Sequence, residues 1–159
     1  NWAQAIRNCR VDFNAGPTSK EAKMNSQNDI AAINELYDLW GVSAHSGDLD
    51  LFMSIWTGDA IRMGQDAPAV VGWDAIRAST GPLLEQFDLY IEGYGETEVE
   101  VSGDLAFSRG TYTMTLTPKE GGPTTFIDGK WLDILKRQAD GSWKIYCDCY
   151  NNNAPPKVD

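Results

Sequence analysis

The second half of this chain alternates with a period of two. Glu96-Thr97-Glu98-Val99-Glu100-Val101 puts a carboxylate at every other position, the pattern of a strand with one wet face. Leu105 to Thr117 continues as a long strand, and Gly121-Gly122-Pro123 turns it back. Thr125 to Arg137 is the next strand. Asp140-Gly141 then makes a hairpin into Trp143–Tyr150. Strands joined by such short turns pair antiparallel, as a meander.

The first half reads with a helical period. Ser26-Gln27-Asn28-Asp29 resembles a capping box, and Ile30, Ile33, Tyr37, Trp40 and Ala44 recur at helical spacing behind it. Gly47 is the stop. Asp48 caps a second, short helix carrying Leu51, Phe52, Ile55 and Trp56. Ala60 to Gly64 forms a short strand. Gly72 opens a third helix, with Ile76, Leu83, Leu84 and Phe87 on its buried side, and Gly81-Pro82 is expected to kink or restart it. Helices followed by a meander predict an α+β domain, a curved sheet with helices on one face. We expect an extension over 1–25, one domain over 26–153 and a flexible tail over 154–159. Within the extension, Trp2, Ala5, Ile6 and Cys9 suggest a short helical stripe, and Asn14 to Ser19 a linker.

Charge narrows the function classes. Thirteen basic residues oppose 23 acidic ones, a net −10. That field repels phosphate backbones and anionic lipid, so neither nucleic acid nor a membrane surface is an expected partner. No window approaches the roughly eighteen continuous apolar residues of a membrane-crossing helix. A chain starting at Asn1 is expected to be a processed or trimmed product, with cytoplasmic and exported locations both open. Seven acids fall between Glu85 and Asp104 with no Lys or Arg among them, which reads as a solvated face. Cys9, Cys147 and Cys149 are an odd set, so at least one stays unpaired within the chain. Cys147 and Cys149 share a strand face at a separation awkward for a disulfide. With one histidine and no Cys-x-x-Cys, no metal or other cofactor is expected.

Several short runs resemble SnoaL-like or ketosteroid-isomerase-like domains. They are Ser46-Gly47-Asp48-Leu49-Asp50, Trp56-Thr57-Gly58-Asp59-Ala60, Gly72-Trp73-Asp74-Ala75-Ile76 and Gly103-Asp104-Leu105-Ala106 with Gly110-Thr111-Tyr112. The strongest is the end: Gly129-Lys130-Trp131-Leu132, then Lys136 to Ile145, then Asp148. The likeness runs from about Asn28 to Asn153. It implies a cystatin-like cone, also seen in nuclear transport factor two, with helices over the concave face of a strongly bent sheet and a deep pocket. It also implies a homodimer through the outer sheet face. The fold hosts isomerases, dehydratases, epoxide hydrolases, cyclases and plain binding modules, so fold does not settle function.

Laid on the isomerase pattern, the base position falls on Gly64 and the oxyanion tyrosine on Trp40, with Asp133 or Asp128 as the third acid. This argues against steroid isomerisation of the usual kind. Asp66 is left as a displaced base. Strand parity offers other candidates. In the family register Arg109, Thr111 and Thr113 face the cavity from one strand, and Tyr146, Asp148 and Tyr150 from the last. On the strand between, Trp131 and Asp133 share one face and Lys130 takes the other. A slip of one residue exchanges these sets. The candidate catalytic residues are therefore Arg109, Asp133 and Asp148. The candidate ligand contacts are Trp40, Met63, Trp131, Tyr146 and Tyr150. His45, in the last turn of the first helix, is expected at the surface. Two functions stand: an enzyme of isomerase or hydrolase type acting on a small, partly apolar molecule, or a non-catalytic module for ligand binding or association.

Overall fold

The computed structural model describes residues 20–155 and 157–158, and for 20–25, 96 and 157–158 the backbone alone. The expected Trp2–Cys9 stripe and the 14–19 linker lie outside the described residues.

Helix α1 runs Lys20–Ser46, beginning six residues before the expected cap at Ser26. Asp29 therefore sits within the helix, where it ties α1 to the sheet. The helix ends at Gly47, whose φ of 72° is a left-handed turn that glycine adopts without a Cβ clash. Asp48 then caps α2 (Leu49–Ser54), accepting the Leu51 amide at 2.9 Å. Strand β1 (Trp56–Met63) and the two-residue β2 (Val70–Val71) lead to α3 (Trp73–Gln86). Pro82 lies inside α3 without ending it. The buried face formed by Ile76, Thr80 and Leu84 holds the helix across the missing hydrogen bond.

The meander follows as β3 (Phe87–Ser102), β4 (Leu105–Pro118), β5 (Thr125–Arg137) and β6 (Trp143–Asn152). Strand order is β2-β1-β6-β5-β4-β3, with β1 parallel to β6 and the meander antiparallel throughout. The tail, read from sequence as loose, returns as β7 (Lys157–Val158) to pair with Thr125 and Phe126 at the start of β5. The sheet is strongly bent. Register shifts interrupt the β3–β4, β1–β6 and β5–β6 ladders, and each such bulge adds local twist and bend.

The core lies between the helices and the inner face. Ile33 and Leu36 of α1, Phe52 and Met53 of α2, and Ile76 and Leu84 of α3 meet Trp56, Leu135, Trp143 and Ile145 from the strands. One polar clamp locks α1 to the sheet. Arg137 donates to both Asp29 carboxylate oxygens at 2.6 and 2.7 Å and lies over the Trp143 ring at 4.4 Å, while Trp143 Nε1 donates to Asp29 at 3.2 Å. Among the described residues no helix is long and apolar enough to cross a membrane.

Candidate functional site

The inner sheet face and the helices enclose a cavity of about 130 Å³. A dry cavity of about 150 Å³ takes up benzene, so this space suits one ring. Its walls are mostly apolar: Trp40, Phe52, Leu83, Ile91, Met114 and Trp131 contribute, with Trp40 packed on Phe52 at 5.8 Å between ring centroids. Trp131 is enclosed by Tyr37, Tyr94 and Tyr112 at 5.6, 5.7 and 6.3 Å.

Strand parity decides which polar groups reach this space. On β5, Trp131 and Asp133 point inward. Lys130 lies outside, donating to Asn153 at 2.8 Å, and the exposed Asp128 accepts from the same Asn153. On β4 the inward residues are Ser108, Tyr112 and Met114. The expected set of Arg109, Thr111 and Thr113 is one residue out of step. Arg109 projects from the outer face, 64% exposed, and pairs with Glu98 directly across on β3. On β6, Asp148 and Tyr150 line the cavity but Tyr146 does not. A bulge leaves Tyr146 without a partner on β5, so alternation skips a residue between Ile145 and Asp148. Its ring sits outside, under the Lys136 ammonium at 3.2 Å.

Met63 is a further correction. It is 37% exposed and absent from the cavity lining, because its neighbour Arg62 takes the inward position in register with Asp148. Asp66, considered as a displaced base, is exposed in a left-handed turn and accepts from Gln65. His45 packs edge-on against Tyr90 at 5.3 Å and is not among the cavity residues. The tyrosine that meets an inward acid is Tyr37, one turn before Trp40. It belonged to the helical stripe seen in the sequence, but nothing local singled it out. Arg62, Tyr94 and Tyr112 were likewise missed as cavity residues.

The polar end of the cavity holds two carboxyls. Asp133 and Asp148 are direct cross-strand partners, and Asp133 is 3% exposed. Tyr37 donates to Asp133 Oδ2 at 2.8 Å. With both acids ionised, Asp133 Oδ1 would be buried without a partner. Asp148 is its direct cross-strand partner, and one proton held between the two carboxyls would satisfy both. Burial first, and the Asp148 charge second, hold Asp133 well above the ordinary carboxylate range. Burial pushes Asp148 up to about 6, while the hydrogen bond from Asp133 and the charge of Arg62 pull it down. Arg62 is steadied by donating to Thr80 at 2.7 Å and to Ser79 at 2.8 Å. The arrangement is a relay: Tyr37 to protonated Asp133 to Asp148. It leaves Asp148 as a carboxylate able to take up a proton near neutrality. Among the described residues no three His, Cys, Asp or Glu side chains are grouped to hold a metal ion.

A family model described as a SnoaL-like domain matches residues 25–146. No curated protein matches the chain. Solved structures do. A ketosteroid isomerase-like protein from Erwinia carotovora atroseptica is 27% identical over 80% of this chain and 98% of its own, with a TM-score of 0.68. A nuclear transport factor 2-like superfamily protein from Salmonella enterica serovar Typhimurium is 16% identical over 80% and 93%, at 0.73. A type 2 hexachlorocyclohexane dehydrochlorinase is 20% identical over 84% and 90%, at 0.72. These neighbours share the expected cone-like α+β fold, and the names they carry differ. With its family model spanning most of α1 through β6, this chain belongs to the SnoaL-like family.

Proposed function

We propose that this protein is an acid–base enzyme of isomerase type, moving a proton on a small, largely apolar molecule of about one ring. The observation that carries the reading is the Asp133–Asp148 pair, two carboxyls facing one cavity from adjacent strands. Asp148 is the base. Asp133 is a positioning residue that holds Asp148 through the shared proton and is itself held by Tyr37. Arg62 balances the charge that remains. Arg109 has no part in this chemistry, since it lies on the opposite side of the sheet. The outer face, where Leu105, Leu132 and Ile134 are exposed, supports a homodimer, checked by light scattering on the eluting protein.

The test is proton exchange at carbon. Cyclohexanone incubated with the protein in deuterium oxide should lose its α-proton signals by NMR faster than in buffer. Asp148→Asn should remove that acceleration while keeping the circular dichroism spectrum. Equal exchange in the variant removes Asp148 from the base role. Binding without any exchange, across a panel of small cyclic ketones, would favour the non-catalytic module.

A further inference from the structure

The arginines of the described residues are not alike. Arg77 pairs with Asp50 at 2.6 Å, Arg109 pairs with Glu98, and Arg137 pairs with Asp29 at 2.6 Å and with Asp104 at 3.3 Å. Arg62 alone makes no ion pair with a carboxylate of the described residues. It is in register with Asp148 across β1 and β6, and both line the cavity. Yet it acts on Asp148 only through space. Its guanidinium reaches α3 instead, donating to Thr80 Oγ1 at 2.7 Å and to Ser79 Oγ at 2.8 Å. Both acceptors are neutral hydroxyls. The other three of its five N–H groups have no acceptor among the described residues.

The place of this cation matters as much as its lack of a partner. Thr80 is buried and Ser79 beside it is exposed, so the guanidinium stands where the cavity meets solvent. Arg62 is the only cation among the residues lining the cavity, whose walls are otherwise mostly apolar and aromatic. In a chain of net charge −10, an unpaired cation at the mouth of an apolar cavity selects a ligand by sign. A ligand seated ring inward keeps its charged group at that mouth, still partly hydrated, where desolvation costs least. A carboxylate matches the guanidinium fork in shape and carries one charge. A phosphate dianion would bring one charge more than Arg62 offsets, facing the Asp148 carboxylate.

We propose that Arg62 is a carboxylate anchor at the cavity mouth, and that the molecule this cavity takes is a single-ring carboxylic acid, ring inward and carboxylate outward. As a statement about the substrate this rests on the acid–base reading of Asp148; as a statement about binding it stands on Arg62 alone. The carboxylate is a handle. It takes no part in bonds made or broken, and it fixes which end of the ring enters. Ser79 and Thr80 hold the guanidinium on α3, so the fork meets the ligand already oriented.

The experiment titrates the full chain with benzoate and with benzamide, a neutral molecule of the same shape, by calorimetry. Wild type should bind benzoate about tenfold or more tightly than benzamide, the worth of a charge-assisted hydrogen bond. Arg62→Gln keeps a polar side chain and loses the charge, and should bring benzoate down to the benzamide level; Arg62→Met gives the same reading where the Gln variant does not fold. Arg109→Gln, on the other side of the sheet, should leave the preference intact. Equal binding of the two probes in wild type overturns the anchor. So does a benzoate preference that survives the loss of Arg62 or falls equally in Arg109→Gln. Asp148→Asn separates the anchor from the base: it should lose cyclohexanone exchange and still prefer benzoate. An Arg62-dependent preference in a wild type that exchanges no ketone proton would support the anchor and overturn the base. Ketone exchange without a benzoate preference would do the reverse.

Discussion

Asp29 and Asp133 are both shielded carboxyls, and their surroundings drive them in opposite directions. Asp29 accepts two hydrogen bonds from Arg137 and one from Trp143, and the guanidinium holds it below the usual carboxylate range. Asp133 faces a second carboxylate and is held well above that range. Burial raises both; the neighbour decides the outcome. The clamp at Asp29 joins helix to sheet. The pair at Asp133 keeps two acids side by side in a buried site, an arrangement that burial and the neighbouring carboxyl resolve by holding Asp133 in its neutral form.

The contrast can be broken from either side. The largest effect is expected at the cavity: Asp148→Asn should slow ketone exchange by about a thousandfold, the ordinary worth of a positioned base, with no loss in Tm. Next comes the clamp. Arg137→Ala leaves Asp29 without its cation and should cost roughly 2–3 kcal/mol in urea unfolding, with exchange per folded molecule kept. The pH response should sharpen the comparison further. Asp133 and Asp148 bind protons more tightly folded than unfolded, so stability falls as pH rises from the ordinary carboxylate range through about 6 and beyond. Wild-type Tm should drop by roughly 5 °C between about pH 5 and about pH 8, and Asp133→Asn should flatten that slope. Activity should run the other way, rising through about pH 6 as Asp148 ionises. The clamp contributes in the opposite sense: Asp29 adds stability above the ordinary carboxylate range, and that stability is lost as pH falls through its depressed value. The smallest effect belongs to Arg109→Ala, an exposed ion pair on the outer face. It should move Tm by no more than about 1–2 °C and leave exchange unchanged.

Much of the fold was legible because its signals are local. The Thr125–Arg137 strand, the Asp48 cap and the Gly72 helix start all lie where turn chemistry and periodicity put them. Alternation put Trp131 and Asp133 on one shared face, and the family register, not local periodicity, turned Asp148 and Tyr150 inward; all four line the cavity, as does Trp40. Arg109 and Tyr146 were misplaced for two different reasons. The family register set Arg109 one residue out of step on β4, and a bulge invisible to any alternation count displaced Tyr146. Tyr37 was in plain view on the helical stripe, yet its acid lies 96 residues away, and nothing in either segment announces the other.

The order of amino acids by itself determines that this chain makes an antiparallel meander backed by helices, and that several of its acids and aromatics face inward. Periodicity and turn preference act over a few residues, so they survive in the sequence. Only the tertiary structure decides that Asp133 meets Asp148 and Tyr37, and that Arg62 and not Arg109 shares their cavity. Those pairings depend on register and bulges summed across strands, where an offset of one residue carries a side chain through the sheet.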